Sequence, residues 1–348
     1  MRPMRRALLS SFVVTTLVLG PGRLAVAEPV GGIPPVGAGA GDASSGDGSS
    51  IVGATPELSN GEDVDSRAEA LEAGKYWTAE RMARAIPADN LLPAPPTGPA
   101  TRAAGPTGRP GSTPAASPTA TRPGGRAARI ADTASVGKVF FKNPVNGKNY
   151  VCSAAALNSP SKQMVVTAGH CVNTGGSKGT AGRWMRNWTY VPRYRDGARP
   201  FGTFAAKHFR SFSGWTDHSD LARDVAMVTT WPLNNKKLVN VTGGHGLSWN
   251  FSQRQATTVF GYPGNHGKGK SQRVCRGKTR AAGASYSELR CDFGSGASGG
   301  PWLREYDEAK GLGRQNGVMS TRNRDGWNRT PYFDTAVKRL FDAQGSKT

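Results

Sequence analysis

The sequence predicts an all-β domain over residues 130–348, closed at its end by one helix. Three observations predict it. Short apolar or β-branched stretches recur there, at 136–141, 150–157, 164–168, 203–208, 225–230, 257–262, 286–291 and 317–321. Each is bounded by Gly, Asn, Pro or Ser, the pattern of a β-sandwich or barrel. Near the end, Phe333, Ala336, Val337, Leu340 and Phe341 fall on one face of a helix. Thr330 is placed to cap that helix, and Pro331 suits its first turn. Finally, the composition changes at residue 130: all four cysteines and all five histidines lie beyond it.

The chain before that point divides in two. Residues 1–27 read as a signal peptide. Arg2, Arg5 and Arg6 form a basic start, Ala7 to Gly20 is an apolar stretch short for a membrane span, and Ala25-Val26-Ala27 is a small-x-small cleavage pattern. The expected destination is secreted and extracellular, where disulfides persist. Residues 28–129 hold 14 of the 24 prolines and runs such as Gly37-Ala38-Gly39-Ala40-Gly41. Such composition buries too little apolar surface to offset chain entropy. One island breaks it. Ser66 to Ile86 reads as helix, interrupted at Trp77-Thr78, where Thr78 can cap a second turn carrying Glu80, Met82 and Ile86. Lying between signal and domain, this zone is expected to be a propeptide whose one ordered element docks on the folded part.

The net charge is +21 in 348 residues, and +19 of it belongs to residues 130–348. Glycine has no period of three, which excludes a collagen-like chain. The one long apolar run is N-terminal, which excludes a multi-span membrane protein.

Three strings carry chemistry. Gly294-Ser295-Gly296-Ala297-Ser298-Gly299-Gly300-Pro301 places a serine in a glycine-rich turn. A hydroxyl is a poor nucleophile and needs a base, a group to orient the base, and donors for the oxyanion. Flanking glycines leave both the hydroxyl and nearby amides unshielded, so the N–H groups of Gly296 and Ser298 can serve as the oxyanion hole. Thr167-Ala168-Gly169-His170-Cys171 follows the apolar run Met164-Val165-Val166 and sets a histidine at a buried strand's end. Imidazole titrates near neutrality, as a general base must. Asp224 heads the apolar run Val225-Ala226-Met227-Val228. An acid there makes sense if it accepts from the histidine's Nδ1–H and fixes the tautomer. Asp217 and Asp220 are rivals that lead no apolar run.

His170, Asp224 and Ser298 stand in the chain order of the chymotrypsin-like serine peptidases, and the chain over residues 134–344 resembles that family. Thr167–Cys171 is similar to its histidine motif and Gly296–Pro301 to its serine motif. Gly317-Val318-Met319-Ser320 resembles the strand that binds the substrate backbone beside the S1 pocket. Gly261-Tyr262-Pro263-Gly264 resembles a stretch of bacterial glutamyl endopeptidases, and the Trp77–Pro87 island resembles propeptides of secreted actinobacterial members.

The resemblance implies two antiparallel six-stranded Greek-key barrels with the active site in the cleft between them. It further implies a trypsin-like peptidase acting on polypeptides through an acyl-enzyme on Ser298, made as a zymogen and working as a monomer. Ser320 would support Asp224 and the substrate main chain, and Cys152–Cys171 would match the family's bridge beside the histidine. Cys291, seven residues before Ser298, departs from the family's usual place, and of the three pairings that four cysteines allow, 152–171 with 275–291 is the expected one. Asp292, six residues before Ser298, would line S1 and select Lys or Arg, or else, with Cys291 shifted, be a turn residue or the partner of an arginine. A glutamyl preference with His266 and an apolar or broad preference are the other options. No cofactor is expected, and no metal, since neither C-x-x-C nor paired histidines occur.

The family's acid before the nucleophile is Ala297 here, so cleavage at Arg129–Ile130 would not act by N-terminal insertion. Propeptide removal would instead unblock a preformed site. A second reading is a basic exported protein that binds anionic polymers on a protease-like fold. It would use Arg183, Arg186, Arg193, Arg195 and Arg199 interleaved with Trp184, Trp188 and Tyr190.

Overall fold

The computed structural model describes residues 48–92, 108–119, 132–177 and 180–348. The expected signal segment 1–27, the rest of the Pro/Gly-rich zone and the Arg129–Ile130 bond lie outside the described residues. Among the described residues, no helix is long and apolar enough to cross a membrane.

Six strands build the first barrel: β1 (Val136–Lys142), β2 (Asn149–Leu157), β3 (Met164–Thr167), β4 (Arg186–Pro192), β5 (Phe204–Phe212) and β6 (Ala226–Thr230). All pairings are antiparallel, in the cyclic order β1-β2-β3-β6-β5-β4. Closure leaves no free edge within this set. The interior is filled by Val139, Phe141, Val166, Trp188, Tyr190, Phe209 and Met227, all buried.

The second barrel uses β7 (Ala256–Gly261), β8 (Arg273–Lys278), β9 (Tyr286–Arg290), β10 (Pro301–Asp307), β11 (Leu312–Val318) and β12 (Trp327–Pro331). β8, β7, β10 and β11 form one antiparallel run, and β9 pairs with β12. The two parts meet where β8 lies beside β9 and β11 beside β12. The Val318 N–H donates to Thr330 Oγ1 across the latter seam at 2.8 Å. Cys275–Cys291 ties β8 to the turn after β9, and Cys152–Cys171 ties β2 to the turn after β3.

The C-terminal helix runs Thr335–Gly345 and buries Ala336, Val337, Leu340 and Phe341 against the first barrel. Its cap differs from the expectation. Asp334 caps it, accepting from Val337 N–H, while Thr330 and Pro331 belong to β12. The Thr330 hydroxyl is engaged in the β11–β12 seam and cannot serve a helix.

Two of the three aromatic residues in the basic–aromatic stretch are not exposed for stacking. Trp188 and Tyr190 point into the first barrel because β4 alternates, and half-buried Trp184 stacks on Phe209. Arg186 pairs with Glu57, and Arg193 and Arg195 with Asp132.

The N-terminal island folds as two helices broken at Trp77-Thr78, as its sequence implies, but the second ends at Arg84: Ile86 lies in a short strand because its backbone pairs with Tyr150. Helix α1 (Arg67–Tyr76) starts at Ser66, whose hydroxyl accepts from Ala68 N–H; α2 (Ala79–Arg84) starts at Thr78, which accepts from Arg81 N–H. Trp77, at the break, is buried among Phe140, Tyr194, Phe260 and Tyr262, and its indole N–H donates to Asn187 O at 2.6 Å. Lys138 joins the same aromatic group and donates to Gly269 O at 3.0 Å, with burial pushing its ammonium down to about 8. Upstream, Ile51–Ala54 adds an antiparallel strand beside β5, and downstream Gly111–Ser112 pairs with Ser248–Trp249.

Candidate active site

The turn Gly169–Cys171 follows β3 and carries His170 in the cleft. A side chain at Gly169 would meet the Trp215 ring and Asp224 Oδ1, which explains the glycine. Asp224 ends a short turn at the head of β6 and is fully buried. Its Oδ1 accepts the His170 backbone N–H at 2.8 Å, and its Oδ2 lies 2.9 Å from His170 Nδ1. The Ser320 hydroxyl, just past β11, donates to the same Oδ2 at 2.6 Å. Three donors therefore converge on one buried carboxylate, which offsets the cost of burying its charge. The rivals are spent locally: Asp220 accepts from Ala222 N–H and Asp217 from the Thr216 hydroxyl.

Burial alone would pull the His170 imidazole down. The Asp224 charge and hydrogen bond, with a smaller contribution from Asp89, outweigh it and hold the ring above its ordinary 6.5. Nδ1 thus carries the proton toward Asp224, leaving Nε2 as the free base. Nε2 makes no hydrogen bond among the described residues.

Ser298 sits in the loop between β9 and β10. Gly299 has φ +79°, and a side chain on it would strike Thr167 Oγ1 and the Ser153 carbonyl. That close fit presses the serine loop onto the strand end leading to His170. Gly296 has φ +95°. Its N–H points at a carboxylate that the sequence reading did not anticipate: Asp89, just after α2. Asp89 Oδ2 accepts from Gly296 N–H and Oδ1 accepts from the Ser298 hydroxyl, both at 2.7 Å. The second amide expected there, that of Ser298, makes no bond to this carboxylate.

Ser153 on β2 was also missed. Its hydroxyl donates to Gly296 O at 2.8 Å and accepts from Tyr262 N–H at 2.9 Å, and its N–H donates to Ser298 O at 2.7 Å. The only sequence signal is a hydroxyl in the apolar run Val151-Cys152-Ser153-Ala154-Ala155. The Gly261–Gly264 stretch braces the same loop, since Gly264 N–H donates to Ser295 O at 2.7 Å. Ala297 is buried with Val259, Phe293 and Trp302, so no carboxylate waits there for an amino terminus.

A cavity of about 550 Å³ opens beside Ser298, lined by Phe293, Ser295, Met319, Thr321, Arg322 and Asn328 among others. Asp292 is not part of it. It stands on an exposed turn with φ +53°, and Arg322 Nε donates to it at 3.1 Å. The Cys275–Cys291 bridge holds the preceding residue to β8, so the acid turns outward. Among the described residues, one grouping has metal-ligand spacing: Cys152, His170 and Cys171. Both sulfurs are consumed in a disulfide, so it offers a single imidazole nitrogen.

No family model matches the chain. Two solved structures with sequence likeness are protease Anisep from Arthrobacter nicotinovorans and the thermostable serine protease AL20 from an extremophilic microorganism. They are 28% and 26% identical, cover 63% of this chain and 99% and 100% of their own, and both give a TM-score of 0.57. A Glu endopeptidase structure (19% identical, 63% and 94% covered, TM-score 0.50) bears on the fold alone. Among curated proteins, an extracellular metalloprotease of Bacillus subtilis strain 168 is 26% identical over 129 residues. The match takes in 36% of this chain and only 37% of that relative.

Proposed function

From a chain that has the two-barrel fold of the chymotrypsin-like serine proteases and resembles bacterial members of that group, we propose a secreted serine endopeptidase made with a prosegment. Ser298 attacks the scissile carbonyl of a polypeptide, and His170 Nε2 takes its proton. The oxyanion rests on Gly296 N–H, with the Ser298 amide completing the hole once Asp89 is gone. Collapse of the tetrahedral adduct passes the proton from His170 to the leaving amine, and an ester remains on Ser298. Water, deprotonated by His170, then releases the acid. Asp224 holds the ring and balances the imidazolium, and Ser320 holds Asp224.

One observation carries this reading. A single carboxyl group fits between the Ser298 hydroxyl and the Gly296 N–H at 2.7 Å from each. A scissile carbonyl needs the same two neighbours, nucleophile and oxyanion donor, at hydrogen-bonding distance. Export follows from the N-terminal reading and the two disulfides. The proposal is tested with Ser298→Ala, which should abolish peptide hydrolysis and fluorophosphonate labelling while the melting temperature stays within a few degrees. Undiminished hydrolysis by that variant rejects the assignment.

A further inference from the structure

We infer that residues 48–92 are a tethered inhibitor that crosses the cleft backwards, with Asp89 standing where the oxyanion would form. The inference rests on the peptidase reading above and specifies how that site is held silent.

The polarity follows from where the chain touches the site. During turnover the amine half of a substrate leaves past His170, because that residue supplies its proton. The acyl half lies on the other side of Ser298, with its side chain in the cavity of Phe293, Met319 and Arg322. A substrate therefore runs, from N to C, from the cavity toward His170 and the Cys152–Cys171 bridge. The N-terminal segment runs the other way. Ile86–Pro87 pair in parallel with Tyr150–Val151, directly before Cys152. Asp89 comes next, at Ser298 and Gly296; Pro87, Asp89 and Leu92 all line the cavity, so the reversed direction rests on the parallel pairing at Tyr150–Val151. The group of this segment that meets the Ser298 hydroxyl is the Asp89 side chain, through Oδ1.

The group that is presented cannot react. A carboxylate is already anionic, its carbon is a weak electrophile, and it has no leaving group short of oxide. Its two oxygens nevertheless collect the bonds that an oxyanion and an attacking hydroxyl would make. Charge-assisted bonds of this sort are the strong ones. The anchors lie well away from the site: Trp77 in its aromatic pocket, buried Met82, Tyr76 donating to Asn149 at 2.9 Å, and Ile51–Ala54 added to β5. These contacts are independent of any bond beyond residue 92. Cleavage within residues 93–131 leaves the segment in place, and activity appears only when the segment itself is released or destroyed.

The test uses the intact chain with Asp89→Ala and, keeping the side-chain shape, Asp89→Asn. Fluorophosphonate labelling of Ser298 should be at least ~10-fold faster in both variants than in the parent, the size expected for losing two charge-assisted bonds. Mass spectrometry of the parent should show cuts beyond residue 92 and none between 86 and 92, with fragment 48–92 co-eluting with the domain. Equal labelling rates in all three chains overturn the plug. A cut at Asp89–Asn90 in the parent overturns the reversed polarity. Failure of all three to label, even after an added protease has removed the segment, overturns instead the peptidase reading beneath it.

Discussion

The Ser153 hydroxyl donates to Gly296 O across 2.8 Å, joining a strand of the first barrel to the loop that carries the nucleophile in the second. The same oxygen accepts Tyr262 N–H, and the residue's own N–H holds Ser298 O. One buried serine thus fixes both Gly296 and Ser298, the residues proposed as oxyanion donor and nucleophile.

Ser153→Ala strands the Tyr262 N–H and the Gly296 carbonyl in a dry interior, at about 1–3 kcal/mol. Because these groups aim the oxyanion donor, kcat should fall by roughly 10-fold or more while KM changes little. Steady-state kinetics on the processed enzyme checks this. Parental kcat together with a lowered melting temperature would reduce Ser153 to a structural role.

Asp224→Asn should keep the fold and cut kcat on the order of 10⁴-fold, since an amide can present its NH₂ to Nδ1 and favour the wrong tautomer. It should also move the acidic limb of kcat/KM to lower pH, because Asp224 is what raises the His170 ring. The sign for stability follows. A histidine raised in the folded state stabilises fully below 6.5, and that contribution disappears as pH climbs through the folded value. An unmoved acidic limb in the residual activity would contradict this account.

His245 behaves in the opposite sense. It is fully buried, its Nδ1 accepts Gly313 N–H and its Nε2 meets the Ser135 hydroxyl at 3.0 Å. Burial pushes it down to about 3. The unfolded chain therefore takes up a proton below 6.5 that the folded one refuses, and stability drains as pH falls, by about 1.4 kcal/mol per unit. Because His170 contributes with the opposite sign over this range, the loss is read by comparing the change in urea midpoint from pH 7 to pH 5 in Ser298→Ala with that in Ser298→Ala/His245→Asn. Adding His245→Asn should lower stability at pH 7 and flatten the dependence; equal slopes would remove His245 as its source.

Peptide-library profiling should find Lys and Arg disfavoured at P1. Apart from Asp89, the lining of the cavity carries Arg322 and no carboxylate, while Asp292 is outside and already paired. A dominant Lys/Arg preference in the processed enzyme would show that Asp292 swings inward.

The sequence made much of the site legible because its signals are local. A glycine-framed serine, a histidine at a strand end and an acid heading a strand each need only a few neighbours to be read. The helical island was equally plain, since Ser66 and Thr78 cap the residues directly after them. The strands that escaped notice, β4, β8, β10, β12, most of β11 and Gly246–Trp249, are short or carry polar and arginine residues among their apolar ones. Thr330 was misread because its partner, Val318, lies in another strand.

What the polymer order determined by itself is class: a basic, β-rich chain with the parts of a nucleophilic site. Only the tertiary structure decided who occupies that site. Asp89 and Ser298 are separated by 209 positions and bear no mutual mark in composition or periodicity. Their meeting depends on Trp77 being buried against Phe140 of the first barrel and Phe260 of the second, and on Ile86 pairing with Tyr150, contacts between residues far apart along the chain.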